Sequence, residues 1–290
     1  MVMEIRYCIA DFTLGLRQAE SGPWVLVREP FERFIVQHDP EISLSVLKGF
    51  PELGLAHKIF DSGQRWSLWH DRAGHKALHV KSFGLDPACV LILPVADEGG
   101  RLYVAPQGDY FGRPIFPLDF PLSEVCAIDW LAQHNGMVMH ATAIKDGDQG
   151  YLFVGFSGAG KTTTATLWAS TVSDAIPLSD DRIVLRKREG RFQIYGTPWW
   201  GVGHFASPES VPLTGVFILR HAEENTLRQL RPREAVSQLL VRTFAPLWDA
   251  AGMAATLDLF HELSETVPCF EFGFKPDASA VECIRSHRWT

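Results

Sequence analysis

Cysteine is scarce in this chain: Cys8, Cys89, Cys126, Cys269 and Cys283 are spread over 290 positions with no C-x-x-C pair. That spacing argues against a disulfide framework and a zinc site, and the thiols read as buried side chains in a reducing cytosol. Positive charge in excess is lacking too. The formal net charge is −7 and the pI about 5.9, so nothing advertises a nucleic-acid partner or an anionic membrane. No stretch reaches the roughly 18 apolar residues of a membrane span. The opening "MVMEIRYCIADF" has an acidic residue early and no basic segment ahead of a long apolar one, which predicts a cytoplasmic protein. Internal repeats and low-complexity tracts are missing as well. What remains is 46% apolar and 21% charged composition, enough for a globular protein to bury a real core in one large domain or two.

The first hundred or so residues read as mostly β. "WVLVREPFERFIVQ", "QRWSLWHD", "KALHVKSF", "CVLILPV" and "RLYVAP" are short apolar or alternating runs separated by Gly, Asp and Pro. The pattern changes near "PLDFPLSEVCAIDWLAQHNG", where Ser123 is expected to cap a helix ended by Gly136. A boundary near residue 120 gives a β-rich domain over 1–119 and a second domain over 120–290. In the second, "GMVMHATAIKDG" and "GYLFVGF" form a hairpin through "KDGDQ", and "KREGR" joins two further strands. "VPLTGVFILRH" is another apolar run. Two helices follow, broken at Pro246 and Gly252, then a strand "CFEFGF" and a last helix from Asp277.

Residues 155–162, "GFSGAGKT", fit G-x-x-x-x-G-K-[ST] at every fixed position. Glycines let backbone N–H groups approach phosphate oxygens, and the following helix adds its positive end. Gly155, Ser157, Gly158, Ala159, Gly160, Lys161, Thr162 and Thr163 are the expected nucleotide-binding residues. Lys161 is to reach the β/γ-phosphates of ATP or another nucleoside triphosphate, and the Thr162 hydroxyl to ligate Mg²⁺. The competing reading is a glycine-rich turn that binds nothing, but a strand-like run before the loop and a helix-like run after it supply the context the motif requires. Downstream, "IPLSDDRIVL" carries Asp180 and Asp181 ahead of a strand. One carboxylate suits a metal and the other an acceptor hydroxyl's proton, although Ser-Asp-Asp is also ordinary turn chemistry. His140, in "MVMHATAI", is either a proton acceptor or a hydrogen-bonded core histidine.

The ordered set "MHATAI…GFSGAGKTT…LSDDRIVL" resembles the HPr kinase/phosphorylase family. It is more closely similar to the HPr-kinase-like proteins of bacterial biosynthetic clusters, including kinases that phosphorylate a serine of lasso peptides. The resemblance covers roughly residues 120–290. It implies an α/β (α+β) fold related to phosphoenolpyruvate carboxykinase, with a mixed sheet around the phosphate loop and a β-rich domain ahead of it. It implies ATP and Mg²⁺ as cofactors. His140 matches the family's active-site histidine, Asp180 its general base, and Asp181 a metal-side aspartate together with Thr162. HPr kinases carry E-I-R-G-x-G-I after the aspartate pair, tied to phosphorolysis. Here "QIYGTPWWGVG" lacks that acid and that arginine, so the charges tied to that motif's role are absent, and the sequence leaves open whether phosphorolysis occurs and whether HPr is a substrate.

Trp199 and Trp200 are candidates for an acceptor pocket or for core and interface surface. Arg242, in "LLVRTF", is weighed between a phosphate contact and a solvated or ion-paired helix group. The expected activity is therefore γ-phosphoryl transfer to a hydroxyl, on a serine of a peptide or small protein, with Asp180, His140 and Lys161 carrying the chemistry. The partner is that acceptor, with a homo-oligomer left open and no nucleic acid or membrane. A kinase of a free small molecule such as an amino acid, and a non-catalytic ATP-sensing regulator, are the alternatives. Carboxykinase-type decarboxylation would need metal ligands that the sequence does not offer.

Overall fold

The computed structural model describes residues 3–18, 27–50, 52, 54–82, 85–94, 99–105, 109–110, 113–114, 116, 118 and 120–287. The chain divides into two compact units, Met1–Ala127 and Ile128–Thr290. The division falls inside helix α1 (Leu122–Leu131).

The amino-terminal unit is built on one eight-stranded mixed sheet. Its strands are β1 (Met3–Ile9), β2 (Phe12–Gln18), β3 (Ile42–Lys48), β4 (Leu55–Asp61), β5 (Trp66–Asp71), β6 (Lys76–Ser82), β7 (Leu85–Ile92) and β8 (Gly100–Val104). The order is β1-β2-β3-β8-β7-β6-β5-β4, with β3 parallel to both neighbours. A two-residue ribbon, β9 (Asp109–Tyr110) with β10 (Arg113–Pro114), follows. Four of the five apolar runs expected as strands coincide with β5 to β8. The fifth does not: residues 24–26 lie outside the described residues, and the rest of that run forms a 3-10 turn over Phe31–Phe34. Phe31 and Phe34 are both buried there, and an i, i+3 apolar pair satisfies one helical turn better than a strand's alternation does. Ser123 is not a cap; it sits within the first turn of α1, its hydroxyl donating to the Leu118 carbonyl at 2.8 Å.

The carboxy-terminal unit contains β11 (Gly136–Asp146), β12 (Gln149–Val154), α2 (Lys161–Thr171), β13 (Ile176–Ser179), β14 (Arg182–Arg188), β15 (Arg191–Tyr195), β16 (Ser210–His221), β17 (Thr226–Gln229), α3 (Pro232–Leu240), β18 (Thr243–Phe244), α4 (Ala250–Thr266), β19 (Cys269–Phe274) and α5 (Ser279–Arg285). Strand order runs β12-β11-β14-β15-β16-β19-β17, and β12 also pairs with β16 in parallel. The path from β12 through β11, β14, β15 and β16 therefore closes on itself.

Two cores explain why these strands read as continuous apolar runs. In β12, Leu152 and Val154 point into one core together with Met139, Ala141, Ile183 and Phe260. Tyr151 and Phe153 point into the other, with Trp168 of α2 and Phe217. A strand covered on both faces keeps no polar side. Helix α2 buries Lys161, Thr164, Ala165 and Trp168, one stripe at helical spacing; Trp168 packs within 5.5 Å of the Phe153 ring.

Local turn chemistry follows the sequence. Glu189 and Gly190 both take positive φ between β14 and β15, as a two-residue hairpin demands. Gly136, expected to end α1, instead opens β11, and the left-handed residue is Asn135. Gly252 does not break a helix: α4 runs through it, capped by Asp249, whose carboxylate accepts the Ala251 N–H at 3.1 Å. Pro246 and Ala132 press against Gly252, at 2.9 and 3.1 Å from where a Cβ would stand. Close packing, not turn formation, explains that glycine. Burial pushes the Cys89 and Cys269 thiols up to about 12, which leaves them inert. Among the described residues, no helix is long and apolar enough to cross a membrane.

Candidate active site

The site forms where β11 changes partners. One edge pairs with β14 over Gly136–His140 and with β13 over Ala143–Lys145, Asp180 and Asp181 joining those two strands; the other edge pairs with β18 at Val138–Met139 and with β12 over Ala141–Asp146. At the change the His140 N–H donates to the Arg242 carbonyl at 2.7 Å and the Ala141 N–H to the Asp181 carbonyl at 3.1 Å. One point on one strand thus gathers His140, the aspartate pair and Arg242.

The phosphate loop leaves the buried end of β12. Gly160 has φ +105, and a Cβ there would stand 2.6 Å from the Phe274 ring; glycine is required on both counts. Ser157, Gly158 and Thr163 are exposed, Ala159 and Thr162 are half-buried, and Lys161 is buried. The Lys161 ammonium donates to the loop carbonyls of Gly155 at 2.9 Å and Phe156 at 3.2 Å. Burial lowers its pKa and the Arg242 charge lowers it further, against an opposing pull from Asp181. The loop is tied to β16 by His221, whose Nε2 lies 2.9 Å from the Gly158 carbonyl.

The two aspartates, adjacent in sequence, have different surroundings. Asp180 is 2% exposed. Its Oδ1 accepts the Gly201 N–H at 2.9 Å and its Oδ2 the Gly203 N–H at 2.6 Å; the Thr162 hydroxyl lies 3.5 Å from the same Oδ2. Asp181 faces cations instead. His140 Nδ1 is 3.2 Å from its Oδ1, and Arg182 pairs with its Oδ2. Burial alone would raise the Asp181 carboxyl, but the His140 hydrogen bond and the Arg182, His140 and Lys161 charges outweigh it and hold the group below the usual carboxylate value.

Arg242 departs furthest from a solvated helix arginine: it is 2% exposed. Its Nη1 donates to Gln238, and the guanidinium lies over the ring of Phe156, within the phosphate loop, at 4.1 Å. Its Nε and Nη2 are buried without a hydrogen-bond partner. Buried donors are almost always paired, because leaving one bare costs about 1–3 kcal/mol. A cation with two bare donors beside a glycine loop fits a phosphate group. The only sequence signal for this was an arginine embedded in the apolar run "LLVRTF".

The segment expected to bear on the acceptor is split. Trp199 is buried, whereas Trp200 is half-buried with its ring 4.7 Å from that of His204. Among the described residues no group of three or more His, Cys, Asp or Glu side chains is arranged to hold a metal by itself.

No family model matches the chain, and no curated protein matches it by sequence. Among solved structures, the Hpr(Ser) kinase/phosphatase from Coxiella burnetii is similar over 52% of this chain and 95% of its own, at 14% identity and a TM-score of 0.33; a likeness at that level carries no argument about activity.

Proposed function

We propose that this chain is a Mg²⁺-dependent phosphotransferase that moves the γ-phosphoryl group of ATP to a hydroxyl, with a serine of a peptide or small protein, of the kind tailored in lasso-peptide clusters, as the acceptor class. The observation that carries the reading is Arg242, a buried cation with two unpaired donors against the Phe156 ring of the phosphate loop. Lys161 and Arg242 supply positive charge where the transferring group becomes more negative, and such fixed charge acts strongly in a site shielded from water. Asp180 takes the proton of the acceptor hydroxyl as its oxygen bonds to the γ-phosphorus and the bond to the β-phosphate oxygen breaks, leaving ADP. Mg²⁺, when bound, neutralises charge between the β- and γ-phosphates.

The metal pair expected from the sequence, Thr162 with Asp181, shifts by one residue in this reading. Asp180 Oδ2 is the carboxylate oxygen near Thr162, while both oxygens of Asp181 are occupied by His140 and Arg182. Asp181 then acts as a counter-charge to Lys161, opposing the fall that burial imposes on its pKa.

Incubation with Mg²⁺ and γ-labelled ATP, alone and with serine-containing peptides and free amino acids, tests the proposal. Label on a peptide supports it. Label only on free amino acids moves the acceptor class to small molecules. Tight ATP binding with neither transfer nor hydrolysis supports an ATP-sensing regulator instead.

A further inference from the structure

The turn that holds Asp180 belongs to none of the motifs that pointed to the phosphate loop. Residues 201–204 form a tight turn closed by the His204 N–H donating to the Gly201 carbonyl at 3.3 Å, with His204 at φ +57. Two of its amides, those of Gly201 and Gly203, take one oxygen each of Asp180. The turn has no room for side chains on that side. A Cβ on Gly201 would stand 3.0 Å from Asp180 Oδ2 and 3.1 Å from Asp181 Cβ; one on Gly203 would stand 2.8 Å from Asp180 Oδ2 and 2.7 Å from Thr162 Cγ2. Gly203 is therefore required by close approach to the carboxylate and the Thr162 methyl, while at Gly201 a Cβ would fit only if the aspartates gave way by a few tenths of an ångström. Between them, Val202 is 87% exposed, so the same turn shows its other face to solvent.

We infer that the Gly201–His204 turn is a positioning clasp that gives the two oxygens of Asp180 different tasks. The inference rests on the phosphotransferase reading given above. A carboxylate oxygen has two lone pairs. Oδ2 receives Gly203 N–H and faces the Thr162 hydroxyl, so it is committed to the phosphate-loop side. Oδ1 receives the Gly201 N–H alone and keeps a lone pair. Oδ1 is the atom that takes the acceptor's proton as the oxygen–phosphorus bond forms and the bond to the ADP oxygen breaks. Because Gly203 packs against the Thr162 methyl, the clasp also ties the base to the first turn of α2, and the two ends of the reaction are held in one geometry.

The test is a kinetic cycle on the full chain, with Mg²⁺ and ATP and with water or serine-containing peptides as the acceptor hydroxyl. Gly201→Ala, which crowds only the carboxylates, is expected to lower kcat about 10- to 100-fold, the scale of a misplaced catalytic group, with KM for ATP changed less than about twofold. In an Asp180→Asn background the same substitution is expected to change kcat by less than about twofold, since the clasp acts only through that side chain. Equal losses from Gly201→Ala in both backgrounds would overturn the inference, as would a loss confined to KM for ATP. Amide hydrogen exchange gives an independent arm. Gly201 and Gly203 should be protected in the wild-type chain and lose protection in Asp180→Ala; unchanged exchange overturns the clasp. A wild-type chain that binds ATP without any turnover defeats the phosphotransferase reading, and the exchange result still decides the clasp.

Discussion

In the amino-terminal unit the charged side chains lie mostly at the surface and in pairs, Lys58 with Asp61 and Lys81 with Asp86, both at 2.7 Å. In the carboxy-terminal unit Lys161, Asp180, Arg186 and Arg242 are all buried. Glu124 of α1 is the one buried charge of the first unit among the described residues. A cavity of about 600 Å³ lies in the first unit, lined by Lys58, Trp69, His79, Lys81 and Asp86 among others, but its charges are matched: Asp86 serves both Lys81 and His79. The phosphate loop instead adjoins a cation with donors left over. Burying unmatched charge is costly, and folds retain it where a ligand completes the match. It is the unmatched charge that distinguishes the glycine-rich loop of the second unit.

The strongest way to break that comparison is to remove the proposed base. Asp180→Asn is expected to lower phosphoryl transfer by about 10²- to 10⁴-fold, the range for a general base, while ATP affinity measured by calorimetry stays within about threefold. Equal loss of affinity and transfer would make Asp180 a nucleotide ligand only. Next in size is Arg242→Met. Turnover should fall by about 10²- to 10³-fold, whereas urea unfolding of the nucleotide-free chain should show stability unchanged or raised by about 1 kcal/mol, since the bare donors leave with the cation. A variant that is both inactive and destabilised would make Arg242 an ordinary structural arginine.

Asp181 sharpens the comparison through pH. Its pKa in the folded chain is held below the ordinary aspartate value of 3.8, so its stabilising contribution is complete above that value and is lost as pH falls through the lower folded value. Urea midpoints of the wild type and Asp181→Asn, followed from neutral pH downward, should differ most above 3.8 and converge below it. A gap independent of pH would mean that Asp181 acts by packing alone. The smallest effect belongs to the first unit. Lys81 and Asp86 are each about half exposed, so Lys81→Ala should cost less than about 1 kcal/mol, with ATP turnover unaltered; a larger loss on either measure would bring the amino-terminal cavity into the function.

Much of the local structure was legible before any coordinates. "KDGDQ" and "KREGR" carry glycines where the chain takes positive φ, and both are hairpins. The hairpin of β1 and β2 was not legible, because Ala10 and Asp11 turn the chain at positive φ without a glycine to announce it. Residues 27–37 misled because apolar spacing at i, i+3 was read as strand. Gly252 misled because a glycine needed for packing looks, in sequence, like one needed for a turn.

By itself the sequence determined the glycine-rich loop, the helix that follows it, the aspartate pair and the β-rich character of both units. Each of these depends on neighbours a few positions apart, through glycine dihedrals, side-chain periodicity and fixed spacing. Only the tertiary structure decided which carboxylate meets Thr162, that Arg242 is buried with donors to spare, and that Gly201 and Gly203 close on Asp180. Those facts arise because at His140 and Ala141 the neighbours of β11 change on both edges, from β14 to β13 on one and from β18 to β12 on the other, which brings segments about residues 140, 180, 202 and 242 to one place, and no local rule of spacing encodes a meeting of four such distant segments.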